Sequence, residues 1–538
     1  MKKIFISLLF LIVTQSLLGQ SVQLVRQIDA TINIGVSSVK SITTDASGNF
    51  YVAGEFQQNL QFGGINLIAV SNDMYVAKFN SGGVLQWVKQ CNTTSGTGYV
   101  TPDKIVVDAS GNVYVTGEIL IANNATVNFA NTLLPKLGLR DAFVCKFNNI
   151  GTLQWVKQIG VTSKQARGNG VGVDGMGNVF ITGYFNGTIS LAPVSAAIIT
   201  NTSSTNYSMF VASYDSGGNF RWVQQSSNGT SGRIDAGSLA IDGSGNVFVT
   251  GPFISTTTFS PTSSLTALGI SDVFLAKYNN SGVLQTVNQV GGSPSGSAIP
   301  LALEIDYLGN VFLSASYFNN MVLGNGVTLT GSSSFSYLFI AKYNNSVIAQ
   351  WAKSITTTAS INGGSLATDA FGNVYSTGYF TGTITHSGGT ASRIGCVDIF
   401  MIKFNANGVW QWFNQVYNTL TTYNINGISI NASNNNVFLG GLSSVGAVAC
   451  SSGRYSLIAE YSQTICPSTL TPTGTITTDQ KASNTVVSMA GSPSLGTLNI
   501  IPNAASVIYQ GGNYVQLSTG FEAVNGSYFR IMVLGGCN

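Results

Sequence analysis

The stretch DASGNFYVAGEF, Asp45–Phe56, decides the fold because the chain keeps returning to it. Near-copies follow as DASGNVYVTGEI, DGMGNVFITGYF, DGSGNVFVTGPF, DYLGNVFLSASY, DAFGNVYSTGYF and the decayed NASNNNVFLGGL. They begin at Asp45, Asp108, Asp174, Asp242, Asp306, Asp369 and Asn431, spaced 62 to 68 residues apart. A period this regular marks one supersecondary module stacked on its neighbours. Within it, Asp-x-x-Gly-Asn is hairpin chemistry: Gly and Asn tolerate positive φ, and the Asp side chain caps the turn.

Working outward, each period carries four strand-like segments, in the first copy SVKSITTD, NFYVAGEF, MYVAKFN and VLQWVKQ. Tight turns join the first to the second and the third to the fourth. Long connections join the second to the third and each copy to the next, and both emerge on one side of the unit. The pattern predicts an all-β fold, a seven-bladed β-propeller. The third-strand string has seven copies, from MYVAKFN to SLIAEYS, whereas the fourth-strand string LQWVKQ has six after the first motif. The missing copy is VQLVRQ at Val22–Gln27, so the N-terminal strand is expected to close the ring and remove an open sheet edge. The domain reading is 1–20 signal peptide, 21–465 propeller and 466–538 a small C-terminal β-rich module.

The D-x-x-G-N-x-[YF]-[VI]-[TA]-G string followed by [AV]-K-[FY]-N resembles the SBBP repeat, a bacterial β-propeller repeat, with an affinity to NHL-type propellers. The resemblance covers about residues 22–462 and implies a fold and an exported, surface or secreted setting rather than a reaction. The chain departs from it at Ala315, where other copies have Gly, at Thr286, where five copies have Trp, and in the last copy, which loses the Asp-Gly turn. VIYQGGNYVQLSTGFEAVNGSYFRIMVLGGC, within 466–538, resembles the coathanger-stack module found at the ends of exported proteins, through Tyr509, Gly512, Leu517, Gly520, Phe521 and the terminal Gly536–Cys537. An unrelated small β-sandwich is the alternative.

Composition narrows function by exclusion. Charged residues make up 8% and the net charge is +3 without a basic run, which disfavours a nucleic-acid groove or an electrostatic membrane patch. Lys2 and Lys3 before the apolar Ile4–Val13 read as a cleaved export signal, and that run is too short to span a bilayer. No later stretch is long and apolar enough to span, so the mature chain is expected to be secreted or held at the cell surface.

Catalytic constellations are scarce. His386 is the sole histidine, it lacks a nucleophile elbow, and it reads as a loop residue. No zinc spacing occurs, and DASGN offers one carboxylate where a calcium loop wants several, so neither a metal nor any other cofactor is expected. Asp73, Asp141, Asp272 and Asp398 recur at one position and read as strand initiators, and the fourth-strand Trp as packing between units. Recognition is expected on the long-loop face, through Arg140, Arg167, Arg233, Arg393, Arg454, Tyr99, Tyr207, Tyr337 and Tyr423, with a glycan, a polyanion or a protein as partner. The chain reads as a non-enzymatic binding scaffold. A polysaccharide hydrolase or lyase, and a purely structural envelope protein, are the alternatives. Cys396 with Cys450, and Cys466 with Cys537, are candidate disulfides, while Cys91 and Cys145 have no evident partner.

Overall fold

The computed structural model describes residues 22–29 and 37–416, apart from 63, 95–97, 122–124, 161–163, 202–205, 229–232, 293 and 395–396. Beyond these it describes 421–430, 437–445, 454–463 and short strands past 469. Two compact units result: Arg26–Trp410 with Gln415–Glu460, and Met1–Val25 with Gln411–Asn414 and Tyr461–Asn538.

The sequence period becomes a four-stranded antiparallel meander. Unit one runs Ser37–Thr44, Phe50–Phe62, Ile65–Phe79 and Leu85–Thr93, and unit two Gly98–Val107, Val113–Ile121, Asp141–Phe147 and Leu153–Ile159. The order repeats through units three to six, which start at Ala166, Ser238, Ser297 and Ser360. The last sheet has the order Val22–Asp29, Arg454–Gln463, Val437–Val445, Thr421–Ile430, so the N-terminal strand supplies its fourth member. The first strands pack side by side in succession, and Thr421–Ile430 packs on both Ser360–Thr368 and Ser37–Thr44. Phe50 meets Phe438 at 5.0 Å between ring centroids, joining the first core to the last.

The Asp of the opening motif is fully used by its own turn. Asp45 Oδ1 accepts the backbone N–H groups of Ser47 and Asn49, and Oδ2 accepts Asn49 Nδ2 and Tyr51 Oη at 2.7 and 2.9 Å. Asp108 and Asp369 repeat all four bonds. The repeated string is scaffold.

Two devices stitch the units together. The long connection between second and third strands, which the sequence suggested to be a loop, is itself a β-hairpin, as in Thr126–Phe129 with Thr132–Pro135. That hairpin reaches back to the previous unit's fourth strand, Cys91 pairing with Phe129 and Gly291 with Val322, and covers what would be an exposed edge. The second device is the fourth-strand Trp. Trp87 Nε1 donates to Asn149 O at 2.9 Å, Trp155 to Ser216 O, Trp222 to Asn280 O and Trp351 to Ala406 O, each reaching the next unit's tight turn.

That contact explains a pair of departures from the repeat. The indole lies over a left-handed turn glycine: a Cβ on Gly151 would sit 2.8 Å from Trp87, and one on Gly282 2.6 Å from Trp222. Where Thr286 replaces the Trp, the facing turn residue is Val347, buried at φ 62°. Asn288 Nδ2 ties the same turn through a different carbonyl, donating to Val347 O at 2.6 Å. Thr286→Trp alone is expected to cost about 2 kcal/mol through overpacking, and Thr286→Trp with Val347→Gly to restore stability near wild type. A double-mutant cycle by urea denaturation should give a coupling of about 2 kcal/mol.

In the C-terminal unit the described strands pair in parallel, Ser506–Gln510 with Tyr528–Met532 and Ile500–Ile501 with Glu522–Ala523, unlike the antiparallel meanders. Cys396, Cys450, Cys466 and Cys537 lie outside the described residues. Cys91 and Cys145 are free and buried in one core cluster, and burial pushes both thiols up.

Candidate functional site

A kink in every first strand builds the site. In units one, two, three, five and seven the pairing skips one residue, for instance between Val39 and Ser41 against Gly54 and Ala53, and the first four of these leave Lys40, Asp103, Asn169 and Leu301 as bulge residues. Opposite stands the glycine of the repeat. A Cβ there would come 2.3 Å from Ser38 O at Gly54, 2.0 Å from Thr101 O at Gly117, 1.8 Å from Arg167 O at Gly183 and 1.7 Å from Asp235 O at Gly251. At those four glycines the bulge presses the first strand's carbonyl onto its partner and leaves no room for a Cβ, whereas unit five carries Ala315 opposite its own bulge. Bulges re-aim side chains, and here Lys40, Asp103, Asn169 and Leu301 all line one cavity of ≈ 220 Å³.

Beside that cavity, units one to four contribute a connected cluster of arginines, carboxylates and tyrosines. Arg167 grips Asp103 with two nitrogens, Nε at 3.0 Å and Nη2 at 2.6 Å, and its Nε lies 3.9 Å from Glu118. Arg140 Nη1 pairs with the same Glu118 at 3.2 Å, and Tyr99 lies near enough to feel the charge of both. Glu55 receives Lys40 at 2.8 Å, Thr101 Oγ1 at 3.0 Å and Asn72 Nδ2 at 3.2 Å. Arg233 pairs with Asp235 at 2.9 Å and lies over the Tyr207 ring at 5.2 Å, and Tyr207 meets Tyr184 edge-on at 4.9 Å.

The electrostatics follow from burial and pairing. Burial raises Asp103 above the ordinary carboxylate range, with Arg167 pulling the other way. Burial also opposes the charge on Arg167 and Arg140, but their carboxylate partners outweigh it and both stay firmly protonated. Tyr99 is raised by burial and by the charge of Glu118.

Of the residues expected to form a site, Arg140, Arg167, Arg233, Tyr99 and Tyr207 come together here. Tyr337 is in unit five, edge-on to Tyr317 at 5.9 Å, and Arg393 is in unit six. The side chains of Arg454 and Tyr423 lie outside the described residues. Sequence reading missed Glu55, Glu118 and Tyr184, which share the slot after the repeated glycine, and the bulge residues Lys40 and Asp103.

The residues set aside as structural have structural partners. Asp73 accepts Val70 N, Gln90 Nε2 and Thr93 N, and Asp141 accepts Leu137 N, Gly138 N and Gln158 Nε2, so both cap the hairpin. Among the described residues no group of three or more His, Cys, Asp or Glu is placed to hold a metal ion, and no helix is long and apolar enough to cross a membrane. His386 sits in the hairpin of unit six. Its Nδ1 accepts Gly388 N at 3.1 Å, its ring stacks on Trp410 at 6.0 Å, and burial brings its pKa down to about 4. A lowered folded pKa gives stability that is present above the unfolded value and is lost as pH falls through the folded one. Between about pH 6.5 and 4, His386 should cost the fold roughly 2 kcal/mol after allowance for its partial exposure. His386→Asn, which keeps an acceptor for Gly388, should flatten that part of the pH profile in thermal denaturation.

A family model described as a beta-propeller repeat matches residues 154–189. The chain carries β-propeller repeats. Over 319 residues, 46% of its length, it is 27% identical to an uncharacterized WD repeat-containing protein of Acanthamoeba polyphaga mimivirus, of which the match spans 22%. A protein of unknown function from Dyadobacter fermentans is similar in structure at TM-score 0.41 and 10% identity, covering 82% of this chain and 99% of that one. A polysaccharide lyase, an ulvan lyase, is similar at TM-score 0.41 and 9% identity, covering 77% and 93%. Structural likenesses this distant carry no argument about what these propeller repeats bind.

Proposed function

We propose that the chain is an exported, non-enzymatic seven-bladed propeller that binds a hydroxyl-rich glycan on its long-loop face. The blade count is supported by the repeated meander, by the succession of packed first strands and by the N-terminal strand in the last sheet. Export rests on the charged, then apolar, N-terminal sequence.

The observation that carries the ligand class is charge balance. Each cation of the cluster is already paired: Lys40 with Glu55, Arg140 with Glu118, Arg167 with Asp103 and Arg233 with Asp235. A polyanion would meet neutralised arginines. A sugar, by contrast, meets fixed donors and acceptors beside the half-buried Tyr184 and Tyr207 rings, the mixture of polar groups and aromatic surface that hydroxyls and C–H faces need.

One observation favours the enzymatic alternative: Asp103, raised by burial, and Glu118 both approach the same guanidinium, as carboxylates with divided roles could. Against it, each is locked in ion pairs with arginine rather than poised over open space.

A glycan array carrying uncharged and acidic oligosaccharides, with a reducing-end assay on each hit, tests the reading. Saturable binding to uncharged members, little changed by 0.5 M salt (about a 4 Å screening length), is expected. Binding confined to acidic probes and lost in salt would replace it with the polyanion reading, and release of reducing ends would replace it with the enzyme.

A further inference from the structure

The first strands enclose a second cavity of ≈ 310 Å³ toward the tight-turn side, with walls from Ile42–Thr44, Lys104–Val107, Val171–Val173, Leu239–Ile241, Leu303–Ile305 and Leu366–Thr368. It shares Lys104 with the cavity beneath the cluster. Where units one to four and six place Thr43, Val106, Gly172, Ala240 and Ala367, unit five places Glu304, two residues before its motif Asp. The remaining first strand, Thr421–Ile430, contains no Lys, Arg, Asp or Glu. Lys104 and Glu304 are therefore the charged groups of this cavity among the described residues, and they come from non-adjacent units.

They attract each other without touching. Burial holds the Glu304 carboxyl above its ordinary range, and the charge of Lys104 is the main influence drawing it back. Among the described residues neither forms an ion pair. An ammonium and a carboxylate held apart across a small cavity forgo the direct contact that would offset their desolvation. The small side chains beside Glu304 leave space between them, and the hydroxyls of Thr43, Thr44 and Thr368 add neutral polar groups to the wall.

We propose that this cavity is a binding site for a small zwitterion of the amino-acid type, its carboxylate toward Lys104 Nζ and its ammonium toward the Glu304 carboxylate. A zwitterion leaves the site neutral and completes both charged hydrogen bonds, whereas a simple anion or cation satisfies one end only. The site is separate from the glycan reading and stands on different residues.

The test is titration calorimetry with a panel of free L-amino acids and glycine, run beside N-acetylglycine and glycinamide, each of which lacks one charge. At least one amino acid of the panel should bind saturably, with both blocked compounds weaker by about tenfold or more. Glu304→Gln and Lys104→Met should each lose about tenfold in affinity. Thermal denaturation of the unliganded variants verifies that they fold. The charge-exchanged Lys104→Glu with Glu304→Lys should retain binding if the single variants are too unstable to titrate. No binding by any free amino acid, or equal binding of N-acetylglycine, would overturn the proposal.

Discussion

Gly183→Ala is expected to lower the unfolding free energy by about 3 kcal/mol, at the upper end of overpacking penalties. The new Cβ would lie 1.8 Å from Arg167 O and 3.0 Å from the Phe210 ring, and backbone cannot swing aside as a flexible side chain can. Relief requires the first strand of unit three to move away, which drags Arg167 out of its grip on Asp103. The loss of stability should therefore come with weakened ligand binding. Gly243→Ala is the control: it lies in the turn of unit four with nothing within 4 Å of the new Cβ, and should leave stability unchanged to within about 0.5 kcal/mol. Urea denaturation of both variants measures the difference.

The second large effect is Arg167→Met. Arg167 holds Asp103 through two hydrogen bonds and lies 3.9 Å from Glu118, whose side chain is only 7% exposed. Met keeps the apolar stem but leaves Asp103 without its ion-pair partner beside Glu118, which retains Arg140. Breaking one side of such an arrangement costs about 3 kcal/mol. Adding Asp103→Asn removes the stranded charge and should recover about half of that loss. A single variant as stable as wild type would mean that solvent reaches the cluster freely and that the site is softer than its geometry implies.

How far the sequence carries the reader follows from what repeats. Asp45, Asn49 and Tyr51 close one hydrogen-bonded turn, and identical turns need identical residues, so the period and the strands were legible. The long-loop expectation failed between second and third strands because those hairpins are short and gain part of their pairing from the neighbouring unit, which no local pattern encodes. The site was half legible. Arg140, Arg167, Arg233, Tyr99 and Tyr207 were found as loop-face residues, but Glu55, Glu118 and Tyr184 were passed over as ordinary strand positions. A signal was present: the slot after the repeated glycine reads Glu55, Glu118, Tyr184, Pro252, Ser316, Tyr379, varied inside an otherwise constant string. The bulge hid the rest. Lys40 and Asp103 sit out of step with the alternation, so their direction depends on a pairing irregularity that becomes visible only with both strands in place.

The central claim is that recognition resides in the cluster of units one to four while the repeat serves as frame. The most direct test is calorimetric titration of the strongest uncharged oligosaccharide from the array into wild type, Tyr207→Ala, Arg233→Ala and Phe371→Ala. Tyr207 and Arg233 stack in the cluster, whereas Phe371 is 70% exposed at a tight turn on the opposite face. The account predicts about tenfold or greater weakening for Tyr207→Ala and Arg233→Ala, with Phe371→Ala unchanged. Equal affinity across all four proteins, or a loss confined to Phe371→Ala, would contradict it.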